Sequence, residues 1–170
     1  MSRGFVKEDD LEHAGTDVPE RSISTQPNYV TVKGYAILEK QANALELQRK
    51  ALTAKKEDQQ VQQQLAIVNR DLRYVAARLE SAQVVKPTVT KPDAAASQVL
   101  FGATVTVEDE AGDSHSYEIV GEDEADIKAG KVSWTSPLAK ALIGHKLDET
   151  VVWVRPAGNQ TLTITNIDYS

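Results

Sequence analysis

The sequence predicts an α+β protein: an N-terminal antiparallel coiled-coil hairpin, then a small antiparallel β-sheet domain with one short helix. Three observations predict it. Apolar residues recur four and three apart from Tyr35 to Ala82, the period changes to two beyond Val99, and prolines among small polar residues fill 86–98.

The hairpin is read from two matching rhythms. Val61, Leu65, Val68, Leu72, Val75, Leu79 and Ala82 follow the heptad pattern of a coiled-coil seam, and Tyr35, Leu38, Ala42, Leu45, Arg49 and Leu52 repeat it. Position numbers paired across the two runs, 35 with 82, 38 with 79 and so on to 52 with 65, give a constant sum, which puts the fold-back at Asp58 and Gln59. No Pro or Gly interrupts Tyr35 to Val85; Thr31 before Gly34 suits a helix start, and Pro87 forbids continuation. Each arm should span roughly 35–40 Å at 1.5 Å per residue. The hairpin domain is accordingly placed at 29–85.

Residues 1–28 are polar, contain Pro19 and Pro27 and show neither period. They read as a flexible tail, with a docking peptide as the functional alternative. Residues 86–98, with Pro87 and Pro92, read as a linker. The C-terminal domain, 99–170, then carries five strand candidates: around Val105 and Val107, Tyr117 and Ile119, Val132 and Trp134, Val151 to Val154, and Leu162 to Ile167. Glu110-Ala111-Gly112-Asp113 and Pro156-Ala157-Gly158-Asn159 are the turns. Between strands, Ser136 suits an N-cap, Pro137 a first turn, Leu138, Ala141 and Leu142 an apolar stripe, and Gly144 a stop.

Composition narrows the function classes. The 170 residues contain no cysteine, which removes disulfides, thiol catalysis and cysteine metal sites and favours a reducing compartment. The N-terminus is charged, and no uncharged run approaches a membrane span, so a cytoplasmic protein without membrane contact is expected. The net charge of −6 is uneven: 1–28 hold 3 basic and 6 acidic side chains, 31–85 hold 9 and 6, and 86–170 hold 7 and 13. An acidic body carries a weakly basic arm.

The C-terminal domain contains Phe101-Gly102-Ala103-Thr104-Val105, Val120-Gly121-Glu122-Asp123-Glu124-Ala125-Asp126, Gly130-Lys131-Val132-Ser133 and Ser136 to Gly144. These segments closely resemble the Gre factors of bacterial transcription elongation. The hairpin, from Thr31-Val32-Lys33-Gly34 to Ser81-Ala82-Gln83-Val84, is similar to the Gre coiled coil, so the resemblance covers about four-fifths of the chain. It implies an FKBP-like C-terminal sheet that docks on RNA polymerase and a hairpin that enters the secondary channel. Family members that stimulate transcript cleavage carry a tip motif Gly-Asp-Leu-x-Glu-Asn-Ala-Glu-Tyr, whose carboxylates help hold a second Mg²⁺. Here the tip reads Lys55-Lys56-Glu57-Asp58-Gln59-Gln60, and each arm looks shorter than the family's by about 10 Å.

The candidate site residues follow. Asp123, Glu124, Asp126, Ser136 and Pro137 are the expected polymerase-docking surface, on the resemblance; an acidic run by itself is solvated surface or a weak cation site. Arg49, Lys50, Lys55 and Lys56 form a basic patch suited to phosphates of nascent RNA or to an acidic channel lining, or simply a solvated helix face. Arg49 falls on the seam, its stem apolar and its head snorkelling. Glu57 and Asp58 are weak catalytic candidates, since adjacent carboxylates seldom converge on one ion and Lys55 and Lys56 oppose it. Trp134 and Trp153 are expected in the core. His13, His115 and His145 are not at metal-ligand spacing, and no nucleophilic triad or glycine-rich phosphate loop is present.

These residues point to a polymerase-binding protein that is not itself an enzyme, uses no cofactor or small-molecule substrate, and regulates elongation or initiation without strong transcript cleavage. The alternative is a cleavage factor for backtracked complexes, with Glu57 and Asp58 working on Mg²⁺ shared with RNA polymerase. Prolyl isomerisation, suggested by the FKBP-like fold alone, lacks an aromatic proline pocket.

Overall fold

The computed structural model describes residues 18–87 and 98–169. The expected tail as far as residue 17 and the expected linker from 88 to 97 lie outside them. The chain divides into two compact units, one made of Ile37–Ser81 with the segment ending at Gln26, the other of Pro27–Ala36 with the residues from Ala82 onward.

The first unit is the hairpin, formed by α1 (Val32–Thr53), whose residues as far as Ala36 cluster with the second unit, and α2 (Gln59–Ser81). At 22 and 23 residues, the helices are each about 33–35 Å long. The heptad positions face inward as expected: Leu38, Val68 and Val75 are buried and the rest of the seam is half-buried. The turn occupies 54–58, so the chain reverses slightly earlier than the mirror symmetry of the seam predicts. The seam pattern overlooked Arg78, whose side chain is the largest that is fully buried.

Where a flexible tail was expected over 1–28, its described part makes specific contacts. Glu20 pairs with Arg73 of α2, and Arg21 pairs with Asp71 and lies over the Tyr74 ring. Asn28 and Val30 are buried. In the second unit β1 (Tyr29–Val30) pairs in parallel with β2 (Gln83–Val84), two residues each, too short for any period to reveal.

The main sheet contains β3 (Thr104–Glu108), β4 (Ser114–Val120), β5 (Lys131–Ser133), β6 (Thr150–Trp153) and β7 (Gln160–Asp168) in the order β5-β4-β3-β7-β6. All five expected strands are present, but the sheet is mixed. β4 and β5 run parallel, Ile119 opposite Val132, because the chain between them crosses over through two 3₁₀ turns instead of reversing in a hairpin. β7 bulges at Thr165, whose hydroxyl donates to the Thr106 carbonyl at 3.2 Å.

One sheet face packs on α3 (Pro137–Leu142), which Ser136 starts by accepting the Ala139 amide at 3.2 Å. Val105, Val107, Ile119, Leu142, Leu162 and Ile164 are fully buried in this core. Gly144, at φ 91°, turns the chain out of the helix in a conformation that favours glycine. Tyr169 fastens the C-terminal end back on the start of the domain: its hydroxyl donates to the Gln98 carbonyl and accepts the Leu100 amide at 2.9 Å.

Candidate docking surface and hairpin tip

The acidic loop between β4 and β5 does two different things with its carboxylates. Asp126 starts the second 3₁₀ turn, Ile127–Ala129, by accepting the Lys128 amide at 3.2 Å, and Gly130 closes that turn at φ 72°. This leaves Ile127 at the crest with 66% of its surface exposed.

Glu124 points away from that surface. Its carboxylate accepts the Thr31 amide at 3.1 Å, the Gly121 amide at 3.2 Å and the Thr31 hydroxyl. Thr31 in turn caps α1, its hydroxyl oxygen accepting the Gly34 amide at 2.9 Å. The close approach requires glycine at position 34, since a Cβ there would lie 2.0 Å from the Glu124 carboxyl carbon. Glu124 is therefore a structural clamp of the second unit, where the sequence suggested a docking group.

Ser136 and Pro137 do meet Ile127. Together with Val132, Leu138, Trp153 and Val154 they line an apolar groove of about 450 Å³. None of Asp123, Glu124 and Asp126 is among its lining residues, although Asp126 precedes Ile127 in the chain. Of the expected docking set, Ser136 and Pro137 line the groove, and Asp123, Glu124 and Asp126 do not. Ile127 went unnoticed in the sequence because a single aliphatic beside a turn has no periodicity, and Val154, 64% exposed, was read as the end of a strand that stops at Trp153. Both tryptophans pack against the core, but Trp153 also faces the groove, with the Arg155 guanidinium 5.0 Å above its ring. Trp134 instead packs against Tyr29 with ring centres 5.0 Å apart and planes tilted by 60°, and its indole Nε1 is buried without a hydrogen-bond partner.

At the hairpin tip, Lys55, Lys56, Glu57 and Asp58 are all exposed. Asp58 caps α2, its Oδ1 accepting the Gln60 amide at 3.0 Å and its carbonyl the Gln62 amide at 3.0 Å. Gln62 Nε2 donates to the Lys56 carbonyl at 2.9 Å, which ties the turn to the second helix. One Asp58 oxygen thus serves the helix terminus, and Lys55 and Lys56 precede Glu57 in the turn.

The basic patch is not uniformly free. Arg49 binds the Glu46 carboxylate, with Nε at 3.1 Å from Oε2. That hydrogen bond holds the Glu46 carboxyl below its ordinary range and raises the Arg49 guanidinium. Lys50, Lys55 and Lys56 remain exposed. Of the histidines, His115 contacts Asp109 at 3.0 Å and is the main cause of its lowered carboxyl, while His145 contacts Glu149 at 2.8 Å, a carboxyl lowered first by the Lys146 amide and then by His145. His13 lies outside the described residues. Among these residues no helix is long and apolar enough to cross a membrane.

Known proteins resemble this chain along most of its length. The family model "Transcription elongation factor, GreA/GreB, C-term" matches residues 94–169. The chain is 50% identical over 99 residues to transcription elongation factor GreA of Trichlorobacter lovleyi, covering 58% of this chain and 60% of that protein. It is 37% identical over 114 residues to GreA of Methylococcus capsulatus, covering 66% and 70%. It thus spans about 60% of the length of the first of these relatives. A solved GreA/GreB structure from Nitrosomonas europaea is similar at 22% identity and a TM-score of 0.41, covering 84% of this chain and 99% of that one. From the extent of the Methylococcus match in particular, the chain belongs to the GreA/GreB family of transcription elongation factors.

Proposed function

We propose that this protein binds RNA polymerase through its C-terminal unit, places its hairpin in the secondary channel, and regulates elongation or initiation without strongly stimulating transcript cleavage. The observation that carries the reading is the use of Asp58. A carboxylate bound to its own helix terminus, flanked by Lys55, Lys56 and a single Glu57, is poorly placed to share a metal ion with the polymerase. Arms of about 33–35 Å support action by occupying space and changing local charge. The groove beside Ser136 and Pro137 supports docking by the sheet domain, as exposed apolar surface of this kind marks interaction sites.

Backtracked polymerase complexes with labelled RNA test this. The protein alone should leave the RNA intact, and added beside an authentic cleavage factor it should suppress that factor with dose. Mg²⁺-dependent shortening that is lost in Glu57→Ala/Asp58→Ala would establish the alternative, a cleavage factor working through its tip carboxylates.

A further inference from the structure

We infer that the free edge of β6 is a self-complementary docking surface whose partner is a second copy of this chain, joined strand to strand in antiparallel register. The two edges of the main sheet differ. At β5 the Asp126 amide donates to the Lys131 carbonyl and the Lys131 amide to the Asp126 carbonyl, each at 2.9 Å, so that edge is closed at its first residue. Along β6, on the side away from β7, no described strand or loop is paired. A row of unpaired backbone groups is a template for another strand.

The ladder with β7 shows which groups are free. Ile164 donates its amide to the Glu149 carbonyl at 2.9 Å, and counting on in twos makes Val151 with Leu162 and Trp153 with Gln160 the hydrogen-bonded pairs. Thr150 and Val152 therefore turn their amides and carbonyls outward. Thr161, opposite Val152, gives its own amide to Glu110 Oε1 at 3.1 Å instead.

The stretch from Thr150 to Val154 lies between Glu149 and Arg155, with Val152 at its centre. It contains none of the charges or prolines that usually blunt an edge strand. A two-fold axis through Val152 sets Val152 against itself, Thr150 against Val154 and Glu149 against Arg155. Outward-turned backbone then meets outward-turned backbone, and each chain's acid faces the other's base. A shift of one residue would mismatch the backbone groups, and a shift of two would separate both ion pairs. The charges are held at the strand ends: the Glu149 carboxylate contacts His145 Nδ1 at 2.8 Å and accepts the Lys146 amide at 3.1 Å, and Arg155 Nε donates to the Gly158 carbonyl at 3.1 Å. Val152 and Val154, 52% and 64% exposed, supply the apolar surface that pairing removes from water. Strands this short bury less than the roughly 1,200 Å² of a standard interface, so the pair is transient.

Sedimentation velocity of the free full-length chain tests this without polymerase, so its outcome is separate from the docking reading. Between about 5 and 500 µM, the range in which a small interface dissociates, the sedimentation coefficient of the native chain should rise with concentration. Val152→Lys puts two ammonium groups on the axis and should stay monomeric throughout. Ile127→Arg, in the groove and off the edge, should associate as the native chain does. Glu149→Arg and Arg155→Glu should each be monomeric alone, whereas their equimolar mixture should associate, because every arginine at these two positions then faces a glutamate. A native chain monomeric at the highest concentration, association that survives in Val152→Lys, its loss in Ile127→Arg, or a mixture no better than its components would each overturn the inference.

Discussion

Glu124 receives two backbone amides and a hydroxyl, so its removal leaves the Thr31 and Gly121 amides without their acceptor. Glu124→Ala should destabilise the protein by about 1–3 kcal/mol, the usual result of orphaning a part-buried donor. For a chain of this length that lowers Tm by several degrees in a calorimetric melt. Gly34→Ala makes a sharper test. Its Cβ would sit 2.0 Å from the Glu124 carboxyl carbon, so the substitution should destabilise the native background. In a Glu124→Ala background the same substitution should be neutral or stabilising, by up to about 1 kcal/mol, since alanine favours a helix more than glycine does. A cycle without this reversal of sign would remove the clamp. Asp109 supplies a pH dependence: the hydrogen bond from His115, then the amides of Asp113 and Ala111, hold its carboxyl below the ordinary 3.8. A lowered carboxyl stabilises the fold above its ordinary pKa and loses that contribution as pH falls through the folded value. The stability difference between the native chain and Asp109→Asn, measured by urea titration, should therefore be constant at neutral pH and shrink below about pH 4.

The hairpin is stabilised along its seam and at its turn, and the two are separable. Leu38, 2% exposed, should lose about 2–5 kcal/mol on mutation to Ala, whereas Leu47, 69% exposed and off the seam, should change stability by less than about 0.5 kcal/mol. Asp58→Ala should cost about 1 kcal/mol through the lost cap, seen as earlier loss of helical circular dichroism on heating. A melt unchanged by Asp58→Ala would return that carboxylate to the list of free tip groups. These positions were legible in the sequence because heptad spacing reports burial directly. Strand positions were legible for the same kind of reason: Val105, Val107, Leu162 and Ile164 alternate and are fully buried. Strand partners were not. Alternation assigns a face and says nothing of the neighbour, so the parallel β4–β5 pair and the two-residue pair of β1 with β2 went unread. Arg78 was hidden for the opposite reason, since charge usually argues for solvent, and its burial depends on what the folded chain places around it.

The distribution of charge and apolar surface over the whole chain sets what each unit can meet. The net charge of −6 resides in the N-terminal and C-terminal stretches, while 31–85 carry an excess of basic groups. An acidic C-terminal unit suits a basic partner surface and would steer its approach, and the groove, apolar at Ile127, Pro137 and Val154, is the proposed contact. It was only half legible, because its lining comes from four separate segments near 127, 132, 137 and 155 that the fold alone brings together. Ser136 and Pro137 were picked out by resemblance, and Glu124, picked out in the same way, accepts the Thr31 and Gly121 amides. Ile127→Arg places a charge in the groove at a position 66% exposed, so folding stability should change by less than about 0.5 kcal/mol. Affinity for RNA polymerase, measured by competition with a labelled native chain, should fall about tenfold or more if Ile127 anchors the contact. Val152→Lys, at a site 52% exposed on β6 and outside the groove lining, is the control and should bind as the native chain does. Equal losses in both variants would point to general electrostatics, and retention of binding in both would place docking elsewhere on the chain.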